Sequence, residues 1–577
     1  MEPEIKAETQ EHDQEKWVYD SSLDHKGQVP LRASTGVWRA SLFIIAIEFS
    51  ERLSYFAIAS NLISYLTHVI HQDHKTAAKN VNYWTGVTTM MPLVGAFLAD
   101  AYTGRFPTIL VSSVLYLMGL GLLTMSQFFP SLKPRNTTNC VHPRKLHEIV
   151  FFLGMYLISV GTGGHKPCLE SFGADQFDDD YLEERKKKMS YFNLWNFALC
   201  CGLLLGVTII VYVQDRVSWG VANLILALTM ALTILMFCLG RPFYRYRMPE
   251  GSPLTPILQV LVAAIRKRNL ECPSNPALLY EVSKSEKRRF LCHTSSLRFL
   301  DKAAIIEGNK ELTTIGGKQP NAWRLATVTK VEETKLVINI IPIWLTSLTF
   351  GIFVAQGNTF FIEQSSTMDR EIINHFKIPP ASMVTISALG WITLLTVYEK
   401  ALVPALRQAT GNERGLEILQ RIGIGMSFSI LSTGLAAQVE KMRLAEVKTG
   451  EVQHMSVLWL APQFIISGIG DGFTLVGLQE FFYDQVPDSM RSLGMALYLS
   501  VIGLGSFLSS LLITIVDHVT ENEGTSWIDK DLNRSRLDKF YWLLTVVYVV
   551  NLCIYVMVAR KYKYKSVRSL SVADCYE

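Results

Sequence analysis

Glu48-Phe49-Ser50-Glu51-Arg52-Leu53-Ser54-Tyr55-Phe56 lies inside an apolar run, Ala40 to Val69, long enough to cross a bilayer as a helix. A charge at the centre of a membrane helix costs about 2.5–3.5 kcal/mol on insertion scales, so three of them in one span need a reason, and the default reason is an ion or substrate path. Glu48, Glu51 and Arg52 stand at i, i+3 and i+4, which puts them on one helical face. They therefore point together into a protein interior and away from lipid.

The rest of the chain agrees with a membrane reading. Only 18% of its 577 residues are charged, against about 25% in soluble domains, and the charges are gathered between long uncharged runs. Twelve candidate spans follow: Ala40–Val69, Asn80–Ala99, Pro107–Leu132, Ile149–Lys166, Met189–Gln214, Val217–Gly240, Leu336–Ile362, Ile378–Tyr398, Ile422–Val439, Val452–Val476, Ser492–Val516 and Phe540–Ala559. The fold expected is an all-α membrane protein of twelve transmembrane helices in two six-helix halves. Its parts are an N-terminal tail (1–39), a first bundle (40–240), a connector (241–335), a second bundle (336–559) and a C-terminal tail (560–577). The connector carries 16 Lys/Arg against 9 Asp/Glu between 241 and 333, and 253–269 reads as an amphipathic helix lying on the membrane surface. The basic connector and the basic run 560–565 place both termini in the cytoplasm. The N-terminus has no basic segment followed by a short apolar core, so the first span is expected to act as its own insertion signal.

Two sequons, Asn136 and Asn533, then fall on the non-cytoplasmic side as glycosylation candidates. The net charge of +4 and the lack of basic stretches interleaved with aromatics give no support for nucleic acid as a partner. The nine cysteines show no metal-ligand spacing, and no nucleophile–base–orienter set suggests an enzyme. The acidic run Asp175 to Asp180, followed by Glu183-Glu184-Arg185-Lys186-Lys187-Lys188, reads as a solvated loop whose charges compensate one another.

Three further groups carry chemistry. Lys166 ends Gly161-Thr162-Gly163-Gly164-His165-Lys166; a lysine deep in a span should be paired, and Glu48 and Glu51 are its natural partners. Glu48, Glu51, Arg52 and Lys166 together are neutral, so protonating one glutamate frees a cation to hold an anion; a pure packing role is disfavoured because apolar side chains pack more cheaply. His165 reads as a satisfied core histidine. Gly95, Asp100, Gly104 and Arg105 form a loop suited to gating, with glycines for close helix approach and Asp100 and Arg105 to clamp neighbours. Asp471, among Gly468, Gly470 and Gly472, is an intramembrane acid and so a functional candidate.

These residues resemble a known family. Glu48 to Phe56 is similar to the E-x-x-E-R-F-x-Y-Y motif of the proton-coupled oligopeptide transporters, and Gly161 to Phe177 to their fourth-helix signature. Tyr191 to Phe197, Pro342 to Trp344 and Gly477 to Tyr483 resemble the plant nitrate/peptide branch. The resemblance spans about residues 30–560 and implies a major facilitator fold, alternating access and proton-driven symport of a small solute, nitrate or a di- or tripeptide, with no cofactor. Glu48, Glu51, Arg52 and Lys166 would couple the proton, and Arg52, Tyr55, Lys166, Asn196, Gln356 and Asp471 would contact substrate. Thr108 stands where that branch can be phosphorylated, making a kinase a candidate partner; an ordinary helix-start threonine is the alternative. The chain departs at Leu53 and Phe56 in the first motif. It has Ala355 where peptide carriers keep a seventh-helix acid, and Val354 where the best-known plant nitrate carrier has a histidine. Transporters of larger organic anions and a sensor that binds solute without net transport stay open, as do the plasma and vacuolar membranes.

Overall fold

In the computed structural model, residues 16–18, 22–129, 145–178, 181–249, 251–252, 254–273, 279–280, 293–294, 296–306, 321–373, 376–402, 404–405, 408, 416–449, 455–487, 491–521, 527–529 and 532–564 are described. They are almost wholly helical: α1 (Val37–His68), α2 (His74–Leu98), α3 (Arg105–Phe128), α4 (Lys145–Ala174), α5 (Leu182–Arg216), α6 (Trp219–Leu239), α7 (Leu254–Arg266), α8 (Val328–Ser366), α9 (Val384–Val397), α10 (Ile418–Thr449), α11 (Ala461–Asp484), α12 (Arg491–Glu521) and α13 (Leu537–Lys561). One two-stranded ribbon, Glu371–Ile373 with Phe376–Lys377, is the only named sheet among the described residues. Among the described residues, eight helices, α3, α4, α5, α6, α8, α10, α12 and α13, are long and apolar enough to cross a membrane. Many bury less than half of their apolar stretch inside the protein, as expected where lipid replaces water as the outer solvent.

Two compact units divide the chain: residues 1–250, 347–477 and 499–553 form one, and residues 251–346, 478–498 and 554–577 the other. In the first, small residues set the packing. A Cβ on Gly95 of α2 would stand 2.0 Å from the carbonyl oxygen of Gly163 on α4, and one on Gly351 of α8 would stand 2.3 Å from that of Val501 on α12. Backbones this close give helix association without a hydrophobic driving force. Helix starts are capped locally: the Asp73 carboxylate accepts from the Thr76 amide at 2.7 Å, and the Ser218 hydroxyl from the Gly220 amide at 3.2 Å.

At the end of α1 and the start of α2, polar groups tie these helices to later ones. Glu363 of α8 is fully buried, lies 2.6 Å from His74 Nδ1 and accepts from the Thr67 hydroxyl at 3.3 Å. Lys75 pairs with Asp517 of α12 at 2.7 Å, and Asn82 and Gln356 both donate to the Ser509 hydroxyl, at 3.1 and 3.0 Å.

At the opposite end of α1 the acidic run departs from the solvated loop expected of it. Asp175, Asp178 and Glu184 are buried. Glu184 accepts from both guanidinium nitrogens of Arg245 at 2.7 and 3.2 Å, from Arg32 at 2.7 Å and from the Asp178 amide at 2.9 Å. Arg32 also reaches Asp178 at 2.9 Å, and Asp175 pairs with Arg105 and Arg247. Burial acts to lower the Arg32 pKa, yet the bonds to Asp178 and Glu184 raise it above its ordinary value. The basic partners come from the segment before α1 (Arg32), the start of α3 (Arg105) and the segment after α6 (Arg245 and Arg247), all far away in sequence, so local charge compensation is not what the acids use. Gly36 makes room for Arg245: its φ is +74°, and a Cβ there would lie 2.4 Å from Arg245 Nε.

In the second unit, α7 buries Val260, Ala263 and Ala264 against a short 3-10 turn, Arg298–Ala304. The expected amphipathic helix is thus present. Its apolar face is covered in part by the connector's own chain, and Leu258 and Ile265 stay exposed.

Candidate functional site

The motif on α1 folds as its spacing predicts. Glu48, Glu51 and Arg52 are all buried, and Arg52 holds both acids, Nε to Glu48 at 2.8 Å and Nη2 to Glu51 at 2.7 Å. Helix α5 approaches closely here because Gly202 carries no side chain; a Cβ at that position would stand 2.9 Å from Arg52 Cβ. Lys166 of α4 joins the group differently from the direct pairing expected. It lies in the field of Arg52, Glu51 and Glu48, but its Nζ sits 4.4 Å from the centre of the Tyr55 ring and within 4 Å of neither acid. Arg52 already engages both carboxylates, so the lysine takes the ring face, a cation–π contact worth about 0.5–2 kcal/mol. Tyr55 is fixed in turn by stacking on Trp84, with centroids 5.9 Å apart.

His165 is buried, with Nε2 2.8 Å from the Ser113 hydroxyl, and behaves as a core histidine. The residues expected to form a gate gather at the end of α2. Ala99–Thr103 forms a π turn, Gly104 takes φ +78° with open space around it, and Arg105 lies 3.8 Å from Asp100 and bonds Asp175. Burial raises the Asp175 carboxyl pKa above its usual range, although Arg105 and Arg247 oppose this. Thr108 is half-buried and donates to the Gly104 carbonyl at 2.8 Å, with its oxygen 2.6 Å from the Thr103 hydroxyl.

The other expected substrate contacts are dispersed. Asn196 is exposed and donates to the Phe192 carbonyl of its own helix at 3.0 Å. Gln356 is buried in its link to Ser509. Asp471 lies between Gly470, which packs on Gly425 of α10, and Gly472, which packs on Trp391 of α9, and its Oδ1 is buried with no hydrogen-bond partner. Of the sequons, Asn533 accepts from Arg443 at 2.6 Å, while Asn136 lies outside the described residues. His293, Asp301 and Glu332 of the second unit are spaced for a metal ion. Lys335 lies 2.7 Å from Asp301 and 2.8 Å from Glu332, so among the described residues the group is an ion-pair network closed by an ammonium.

Two groups near the motif escaped the sequence reading. Tyr116 of α3 is buried with an unpartnered hydroxyl and lies in the field of Glu51 and Arg52; nothing in its apolar surroundings marks it. Glu170 of α4 is an electrostatic neighbour of Glu48, Arg52 and Tyr191. Its signal was present, since it stands one turn from Lys166 at i+4.

The sequence matches the profile of the POT family over residues 106–528. The chain belongs to the POT family. It is 62% identical to Protein NRT1/PTR FAMILY 5.6 of Arabidopsis thaliana over 559 residues, 96% of each chain. It is 58% identical to Protein NRT1/PTR FAMILY 5.7 of the same plant, over 97% of this chain and 94% of the relative. The fold is similar to that of the POT family transporter PepTSo at a TM-score of 0.67 and 19% identity, covering 91% of this chain and 98% of that one. It is similar also to an auto-inhibited POT family peptide transporter at a TM-score of 0.68 and 17% identity, covering 93% of this chain and 100% of that one. This POT-family chain is thus an integral membrane protein of a family of transporters of peptides and nitrate, with the family's helical fold.

Proposed function

We propose that this chain is a proton-coupled symporter of small solutes, nitrate or di- and tripeptides, working by alternating access between two six-helix halves of a twelve-helix major facilitator fold. The observation that carries the reading is the buried Arg52, ion-paired at once with Glu48 and Glu51. A proton on either acid removes one arm of that clamp. Arg52 then turns part of its charge toward solute, and Lys166, resting on the Tyr55 face, can turn with it. Loss of the proton restores the clamp and expels the solute. The chain's own groups suffice for this exchange, with the proton gradient as driving force and no cofactor.

Arg52, Tyr55 and Lys166 form the solute site on one side, with Asp471 a candidate on the other. Asn196 and Gln356 are assigned supporting places in the path, and Asp100, Gly95, Gly104 and Arg105 the gate. Thr108 is a candidate for kinase control, since a phosphate adds about −1.5 to −2 charges beside Gly104. The termini are assigned to the cytoplasm and the protein to the plasma or vacuolar membrane. The test is Glu51→Gln in pH-clamped vesicles. We expect pH-driven uptake to fall by at least about tenfold, as expected when a proton-transfer group is lost; undiminished proton-dependent uptake refutes the coupling role.

A further inference from the structure

Glu48, Glu51, Arg52 and Lys166 count two acids and two bases, but the folded site holds a third acid. Glu170 lies on α4 four residues after Lys166, on the same helical face. It is half-buried, and its electrostatic neighbours are Glu48 and Arg52 of α1 and Tyr191 of α5. Among the described residues it makes no ion pair. The cations nearby are otherwise engaged: Arg52 is ion-paired with Glu48 and Glu51 at 2.8 and 2.7 Å, and Lys166 lies over Tyr55 at 4.4 Å. Tyr191 is buried, with its hydroxyl close to Gly173; as a neutral phenol it brings no charge. Three carboxylates therefore share two cations, leaving the group at −1 when all are ionised. A half-buried carboxylate with no counter-charge attracts a cation far more strongly than one in bulk water does.

We propose that Glu170 is a specificity-determining residue that makes this site select solutes carrying a protonated amine over bare inorganic anions such as nitrate. The solute's ammonium takes the place of the missing cation beside Glu170, and Lys166 and Arg52 meet its anionic end once Glu48 or Glu51 is protonated. A small anion finds the same two cations but also an uncompensated carboxylate one helical turn away, which repels it. The proposal rests on the transport reading for the location of the site and deepens it by naming the class of solute.

The test compares binding by the full-length protein in detergent, measured at equilibrium with two probes: nitrate, and the dipeptide Ala-Lys, whose net charge is +1. The wild type is expected to bind Ala-Lys the more tightly. In Glu170→Gln the ratio of Ala-Lys to nitrate affinity should fall by at least about tenfold, since one charge acts in opposite directions on the two probes. Glu170→Asp, which keeps the charge, should restore most of the ratio. A merely structural Glu170 would weaken both probes together and leave the ratio unmoved. An unchanged ratio in Glu170→Gln, a loss that Glu170→Asp does not rescue, or no saturable binding of either probe by the wild type overturns the proposal. Failure of the transport reading looks different: Glu51→Gln would retain pH-driven flux while the binding ratio still shifted with Glu170.

Discussion

Glu184→Gln tests the buried charge network at the start of α5. The substitution keeps the side chain's size but removes its charge and turns one acceptor oxygen into a donor. In the native protein Glu184 accepts four hydrogen bonds, three of them from guanidiniums. Arg32 keeps Asp178 at 2.9 Å, so its charge stays compensated. Arg245 is fully buried, and its remaining bonds are to Thr35 and to Gln176, neither of which is charged. Breaking one side of a buried ion pair costs about 3–5 kcal/mol. Because both arms of Arg245 lose their carboxylate, that range applies undiminished. Since about 1.4 kcal/mol is tenfold in an equilibrium, amide hydrogen exchange across 22–36 and 181–190 should speed up by roughly a hundred- to several-thousand-fold where local opening governs it. The double variant Glu184→Gln with Arg245→Met should recover most of the protection, because an apolar side chain replaces the stranded charge. A change under about tenfold in Glu184→Gln, or a double variant as exposed as the two single effects combined, refutes the account and returns the acids to solvent.

Two further outcomes follow from packing and from the link between α1, α2 and α8. Gly95→Ala sets a methyl 2.0 Å from a backbone carbonyl and should destabilise by roughly 1–3 kcal/mol or more, whereas Gly121→Ala, with nothing within 4 Å, should be neutral or gain up to about 1 kcal/mol; thermal unfolding in detergent compares them, and equal midpoints would discount the close approach of α2 and α4. Glu363→Gln removes the carboxylate that lies against His74 and accepts from Thr67, a hydrogen bond to a charged group being worth about 1.5–3 kcal/mol, so exchange across 64–76 should rise at least about tenfold while exchange in the Glu184 region stays as it was.

Much of this protein is legible in its sequence, for a physical reason. Where lipid is the solvent, each backbone group must bond within its own helix, so apolar length alone announces helices, and a charge inside one announces an interior. Glu48, Glu51 and Arg52 are therefore found together before any fold is known, and their i, i+3, i+4 spacing already dictates the clamp that forms, because both acids lie within one turn of the guanidinium. Gly95 and Gly104 are readable for the same local reason: a missing side chain signals either close approach or a positive φ.

How charges on different helices share partners is set by the packing of those helices. That Arg52 leaves Lys166 to the Tyr55 face depends on where α4 stands against α1. The burial of Asp178 and Glu184 depends on Arg32 and Arg245, and that of Asp175 on Arg105 and Arg247, all distant in sequence from the acids they compensate. Glu170 was in plain view, yet its importance comes from the cations around it being already engaged. Sequence spacing fixes neighbours along one helix, while electrostatic compensation falls off with distance in space, and so the net charge of a site exists only once the helices are packed.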